Sequence, residues 1–151
     1  EIEGLLTSKK DDSQKALNDI YKNAHIALQS ISDLLPQVDD DGIRAELKEQ
    51  YDGYEKIIGK ISTFMAESNV EPKDINVFKK AMMWGSIKMK TMFNNSKNQV
   101  AEMMIKGTVM GITELTAMKN EQTNLDTGVV ELLDELLALE EDYEERLKKF
   151  L

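Results

Sequence analysis

An all-α fold, a bundle of four long helices, is what this sequence predicts, and three observations carry it. Apolar residues recur at helical spacing through long stretches, the pattern of a helix with one buried face. Only two prolines interrupt 151 residues, and Leu, Lys, Glu, Met and Ala, all good helix formers, are abundant. The length suits a single domain that buries one hydrophobic core.

The first helix is expected to start near Asp12 or Ser13 and to stop at Leu35, because Pro36 cannot continue it. Residues 1–11 then form a flexible N-terminal segment, and residues 12–151 a single bundle domain. The apolar line of this helix runs Leu17, Ile20 or Tyr21, Ala24, Leu28, Ile31 and Leu35. Asp39-Asp40-Asp41-Gly42 reads as a turn and an N-terminal cap together. A second helix follows to about Glu67, with Ile43, Leu47, Tyr51, Tyr54, Ile58, Ile61 and Met65 on one face, and Ser68-Asn69 closes it. Pro72 or Asp74 opens a shorter helix over about 74–93.

From Phe78 to Met118 one phase persists: Phe78, Met82, Gly85, Met89, Met92, Ser96, Val100, Met103, Gly107, Gly111, Glu114 and Met118. A single helix over this stretch would be about 60 Å long, far more than its neighbours. Asn94-Asn95-Ser96 offers a break, and Ser96 with Gln99 has the form of a capping box. A break is therefore expected there, with one kinked helix as the alternative. The last helix starts near Asp126 or Thr127 and faces Val129, Leu132, Leu133, Leu136, Leu139, Tyr143 and Leu147 inward. If the short helix carries the chain back along the bundle, the connectivity has one long crossover, as in ferritin-like folds; otherwise it is a plain up-down bundle.

Eight of the nine methionines lie between Met82 and Met118, interleaved with Gly85, Ser96, Gly107 and Gly111. Flexible thioethers beside small residues point to a tight, adaptable helix contact. Trp84, Met89, Met103, Met104, Gly107, Met110 and Gly111 are the residues expected to carry packing or association. Gly107-x-x-x-Gly111 either admits a bulky neighbour such as Tyr51, Tyr54 or Trp84, or forms a self-association seam.

The run Ala101-Glu102-Met103-Met104-Ile105-Lys106-Gly107-Thr108-Val109-Met110-Gly111-Ile112 resembles a family of small uncharacterised proteins from Gram-positive anaerobic bacteria. Ile20-Tyr21-Lys22-Asn23, Leu34-Leu35-Pro36, Met83-Trp84 and the closing Leu147 to Leu151 fit the same group. The resemblance spans roughly residues 15–151. It implies a ferritin-like helical bundle and no particular activity.

Composition excludes several classes. The chain has no cysteine, hence no disulfide, thiolate metal site or cysteine nucleophile. A net charge of −9 argues against nonspecific nucleic-acid binding, which needs Lys and Arg to neutralise phosphates. No apolar run approaches the roughly 20 residues that span a bilayer, and Glu1-Ile2-Glu3 is acidic where a signal peptide is basic. A cytoplasmic protein with no membrane partner is the expectation. Acidic residues crowd 121–151, whereas Lys73, Lys79, Lys80, Lys88, Lys90 and Lys97 face Asp74 alone within 73–97. These blocks are solvated faces or complementary surfaces.

A ferritin-like di-iron site needs Glu-x-x-His so that both ligands reach one metal from one helix face. Here the single histidine, His25, follows Lys22 by three positions, and no Glu-x-x-His exists. A carboxylate-only site built from Glu49, Glu55, Glu102, Glu114 or Glu140 is the remaining metal alternative. His25 also invites a phosphotransfer reading, but His25-Ile26-Ala27-Leu28-Gln29-Ser30 lacks the basic and small residues that such a helix carries. The competing role is a flank histidine packed on Tyr21. His25, Glu102 and Glu114 stand as polar candidates. The leading expectation is a protein without catalysis or cofactor, acting through homo-oligomer formation or a protein partner. A ferritin-like metalloprotein with an atypical carboxylate site is the second, and a phosphotransfer bundle the third.

Overall fold

The computed structural model describes the backbone of residues 2–72 and 96–151, with side chains from Lys10 onward. The described residues form four helices: α1 (Ile2–Leu34), α2 (Asp41–Glu67), α3 (Lys97–Glu121) and α4 (Thr127–Lys148). A 3-10 turn over Leu35–Gln37 follows α1. No strand occurs among the described residues, and none of their helices is long and apolar enough to cross a membrane. The expected helix at 74–93, with Trp84 and Met89, lies outside the described residues.

Helix direction follows from the contacts between helices. Glu46 meets Arg146, Tyr54 meets Glu140 and Lys60 meets Glu135, so α2 and α4 are antiparallel. Gly111 against Glu140 and Lys119 against Asp134 make α3 antiparallel to α4. Consequently α2 and α3 point the same way, α2 ending at one end of the bundle and α3 beginning at the other. The order is up-down-down-up, with one long crossover between α2 and α3.

The helix ends obey local chemistry. Asp40 caps α2, its carboxylate accepting from the Ile43 N–H at 2.9 Å. Ser96, with extended backbone, caps α3 by accepting from the Gln99 N–H at 3.2 Å, so a helix starts here as expected, while the residues before Ser96 lie outside the described ones. Asn69 (φ 56°) closes α2, with Val70 N–H bonded to Met65 O and Asn69 N–H to Ala66 O, a Schellman ending. Asp126 precedes α4 as expected. One boundary differs. The first helix begins at Ile2 rather than near Asp12 or Ser13, so the 1–11 segment is from Ile2 onward part of α1. No proline interrupts this stretch, and Ser13 spends its hydroxyl elsewhere, accepting from the Asp126 N–H at 3.0 Å across the bundle.

The core is continuous across all four helices. Its phase is a heptad seam on each helix. On α2 the buried positions are Ile43, Leu47, Gln50, Tyr54, Ile57, Ile61 and Met65. On α4 they are Val129, Leu132, Leu133, Leu136, Glu140, Tyr143 and Leu147, and on α3 Val100, Ala101, Met104, Thr108, Leu115 and Met118. Tyr51, Ile58 and Leu139, expected inside, sit at the flank, and Gln50, Ile57 and Glu140 take the interior. On α3 the expected line through Met103, Gly107 and Glu114 is displaced by one residue: Gly107 and Glu114 are exposed, and Met103 is half-buried.

Candidate functional site

Glu140 is the anomaly of the core. It occupies a seam position of α4 among Leu136, Tyr143 and Leu147, and only 1% of it is exposed. Charged side chains are rarely so buried without a partner of opposite sign. None serves Glu140 among the described residues. Tyr54 of α2 donates its hydroxyl to Oε2 at 3.1 Å, and Oε1 has no hydrogen-bond partner. Burial pushes the Glu140 carboxyl up to about 8; the Tyr54 hydrogen bond pulls it down and the charge of Glu114 raises it further. The carboxyl is therefore predominantly protonated at pH 7. Tyr54 is itself held well above the usual phenol range, by burial first and by Glu140 second.

The carboxyl fits because Gly111 faces it from α3. A Cβ at Gly111 would stand 2.8 Å from Oε1, so a glycine admits the carboxyl where any larger residue crowds it. Asn23 of α1 completes the arrangement, donating from Nδ2 to the Gly111 carbonyl at 3.1 Å. Asn23 is 7% exposed, and its Oδ1 has no partner. Side chains from α1 and α4 thus converge on one glycine of α3, and the α2 phenol stands behind them.

Beside this group lies a cavity of about 320 Å³ between α1 and α3. Ile26, Ala27, Leu34, Met103, Met104 and Met110 form its apolar walls. Asn23, Ser30, Thr108, Glu114 and Glu140 supply its polar atoms, and Gly107 and Gly111 keep the α3 side low. Thr108 donates to Met104 O and Ser30 to Ile26 O, both at 2.7 Å, so their hydrogens are already engaged. An apolar cleft with a few polar groups is the general form of a small-molecule site.

The expected site residues divide. Met103, Met104, Gly107, Met110, Gly111 and Glu114 are brought together around the cavity, although Met110 is 66% exposed and Gly107 has nothing within 4 Å of a Cβ. Among the described residues Gly107 therefore meets no bulky neighbour, and what Gly111 admits is a carboxyl rather than Tyr51 or Tyr54; Trp84 lies outside these residues. Glu102 lies apart, paired with Lys106 on the surface. His25 packs on Tyr21 with ring centroids 4.4 Å apart, and burial lowers its pKa. Among the described residues, no group of three or more His, Cys, Asp or Glu side chains is placed to hold a metal ion.

Asn23 and Thr108 were missed by sequence reasoning, and Glu140 was weighed only as one carboxylate among several. The signal was present in the spacing Val129, Leu133, Leu136, Glu140, Tyr143, Leu147, which is strictly heptad. No protein-family model, curated protein or solved structure matches this chain.

Proposed function

We propose that this protein is a non-catalytic binding bundle whose cavity between α1 and α3 takes a small ligand. The observation that carries this reading is Glu140: a carboxyl buried at a cavity wall, with one oxygen unbonded and no cation supplied by the described chain. A polar group left unsatisfied in this way costs about 1–3 kcal/mol. That cost is offset if a ligand provides the missing partner. The three methionine methyl groups that line the cavity are reporters of occupancy. In methyl NMR of the full chain, a fragment such as hexylamine, hexanol or hexanoate should shift Met103, Met104 and Met110 saturably. If none of the three moves any of these methyls, the reading is wrong.

Association through α3 is a second reading, favoured by the exposure of Val109 and Met110 beside the open Gly107. A homo-oligomer or protein partner seated there would cover these residues. Sedimentation velocity across a wide concentration range tests it, with Met110→Lys as the variant that should restore the monomer mass. A mass that never exceeds the monomer removes the homo-oligomer. The ferritin-like reading draws support from the single long crossover. A carboxylate metal site within it would be revealed by stoichiometric metal in protein purified without chelators.

A further inference from the structure

From the inventory of donors and acceptors around the cavity, we infer that its ligand is a protonated amine carrying an apolar chain, the ammonium seated at Glu140 and Asn23 and the chain among the methionines. This rests on the cavity being a ligand site, as proposed above.

Most of the hydroxyl and amide hydrogens on the wall are already engaged. The hydroxyls of Thr108 and Ser30 donate to carbonyls of their own helices, and one of the two Asn23 amide hydrogens is spent on Gly111 O. Tyr54 spends its hydroxyl on Glu140 Oε2. The acceptors that remain unbonded are Asn23 Oδ1 and, once ionised, Glu140 Oε1. Among the described residues no Lys, Arg or His lines the cavity, so an anionic ligand would find nothing of opposite charge among them. Glu114 stands at the rim and adds negative potential. An ammonium has three donors and no acceptor, and the two unbonded oxygens can take two of them. The terminal torsion of a glutamate is soft, so the carboxyl turns toward a donor without moving α4. The remaining walls are Met, Ile, Leu and Ala, which favour a flexible aliphatic body over a second polar group.

Proton bookkeeping gives a signature. The groups facing the Glu140 carboxyl are Tyr54 from α2 and Glu114 from α3, while α1 contributes only the neutral Asn23. With the empty site titrating at about 8, the carboxyl holds its proton at pH 7. An alkylammonium that binds there favours the carboxylate, and the carboxyl proton leaves to solvent. Uptake of the cation is then coupled to release of close to one proton per ligand at pH 7, falling toward none well above pH 8.

Isothermal titration calorimetry of the full chain with hexylamine, hexanol and hexanoate, in buffers of different ionisation enthalpy, tests the inference. Hexylamine should bind at least tenfold tighter than hexanol, with proton release, and hexanoate should not bind. Glu140→Gln should weaken hexylamine at least tenfold and leave hexanol binding intact, which also shows that the variant's cavity is formed. Equal or tighter binding of hexanol or hexanoate, or hexylamine binding that Glu140→Gln leaves unchanged, would overturn the amine while keeping the cavity as a site. Failure of all three probes would overturn the ligand site itself.

Discussion

Glu46 and Glu140 both turn a carboxyl group toward the seam between α2 and α4, and the bundle treats them differently. Glu46 receives a forked pair of bonds from Arg146, Nε to Oε1 at 3.1 Å and Nη2 to Oε2 at 3.0 Å, and a further one from Gln50. The same guanidinium reaches Glu49 and lies over the Tyr143 ring. Every component of a structural ion pair is present there. Glu140 sits deeper, with one phenol and, among the described residues, no cation. Stability alone is poorly served by such an unpaired carboxyl, since an apolar residue of similar volume would pack without the desolvation cost. The contrast separates two uses of polarity in one core. Glu46 is complete within the described residues, whereas Glu140 is not.

The largest expected effect is the gain on removing the ionisable group. Between pH 4.5 and about 8 the folded state keeps the Glu140 proton that the unfolded chain has released, so stability falls as pH rises through this window. Glu140→Gln should therefore stabilise the empty protein by about 2–3 kcal/mol at pH 7, or roughly 5–10 °C in Tm. At pH 5 the gain should shrink below about 1 kcal/mol. Thermal melts at the two pH values check it, and a variant less stable than wild type at pH 7 would mean that Glu140 is structural after all. At the other carboxylate the sign reverses. Arg146→Ala strands a half-buried Glu46 and should cost about 2 kcal/mol, less than for a fully buried pair because Arg146 is partly exposed. Equal signs for the two substitutions would erase the comparison.

Tyr54→Phe probes the one donor that Glu140 has. Loss of that hydrogen bond should cost about 1 kcal/mol. It should also lift the Glu140 titration above 8, because this bond is the influence that holds it down. Carboxyl-carbon NMR reads the titration directly. An unchanged midpoint would show that Tyr54 does not serve Glu140 in solution.

The helices themselves were legible because their ends are written in local chemistry: Pro36, the Asp40 cap, Asn69 and the Ser96 cap each stand where the chain turns. The inward face was harder to read. Leu139 next to Glu140, Tyr51 next to Gln50 and Ile58 next to Ile57 make apolar stripes wide enough to accept two phases, and hydrophobicity favours the wrong one. Packing against three other helices selects the heptad seam, and that seam carries Gln50, Glu140 and Thr108 inward. The methionines were legible as a cluster, but which of them line a cavity depended on that same one-residue phase. Helix direction was not legible, because the crossover between α2 and α3 is a matter of connection and leaves no periodic mark.

The smallest effect is the most discriminating for α3. Gly107 and Gly111 are one turn apart and look equivalent in sequence, yet a Cβ at Gly107 meets nothing within 4 Å while one at Gly111 meets the Glu140 carboxyl. Glycine in a helix interior costs about 0.5–1 kcal/mol relative to alanine. Gly107→Ala should recover that amount. Gly111→Ala should recover less of it, because the new methyl makes the Glu140 carboxyl turn away from α3. The difference in melting between the two variants, rather than either value, isolates the contact. In the Glu140→Gln background the displaced group is a neutral amide with the same reach, so the Gly111 penalty should persist. If Gly111→Ala stabilises as much as Gly107→Ala in either background, the carboxyl does not rest against Gly111 and the three-helix convergence there fails.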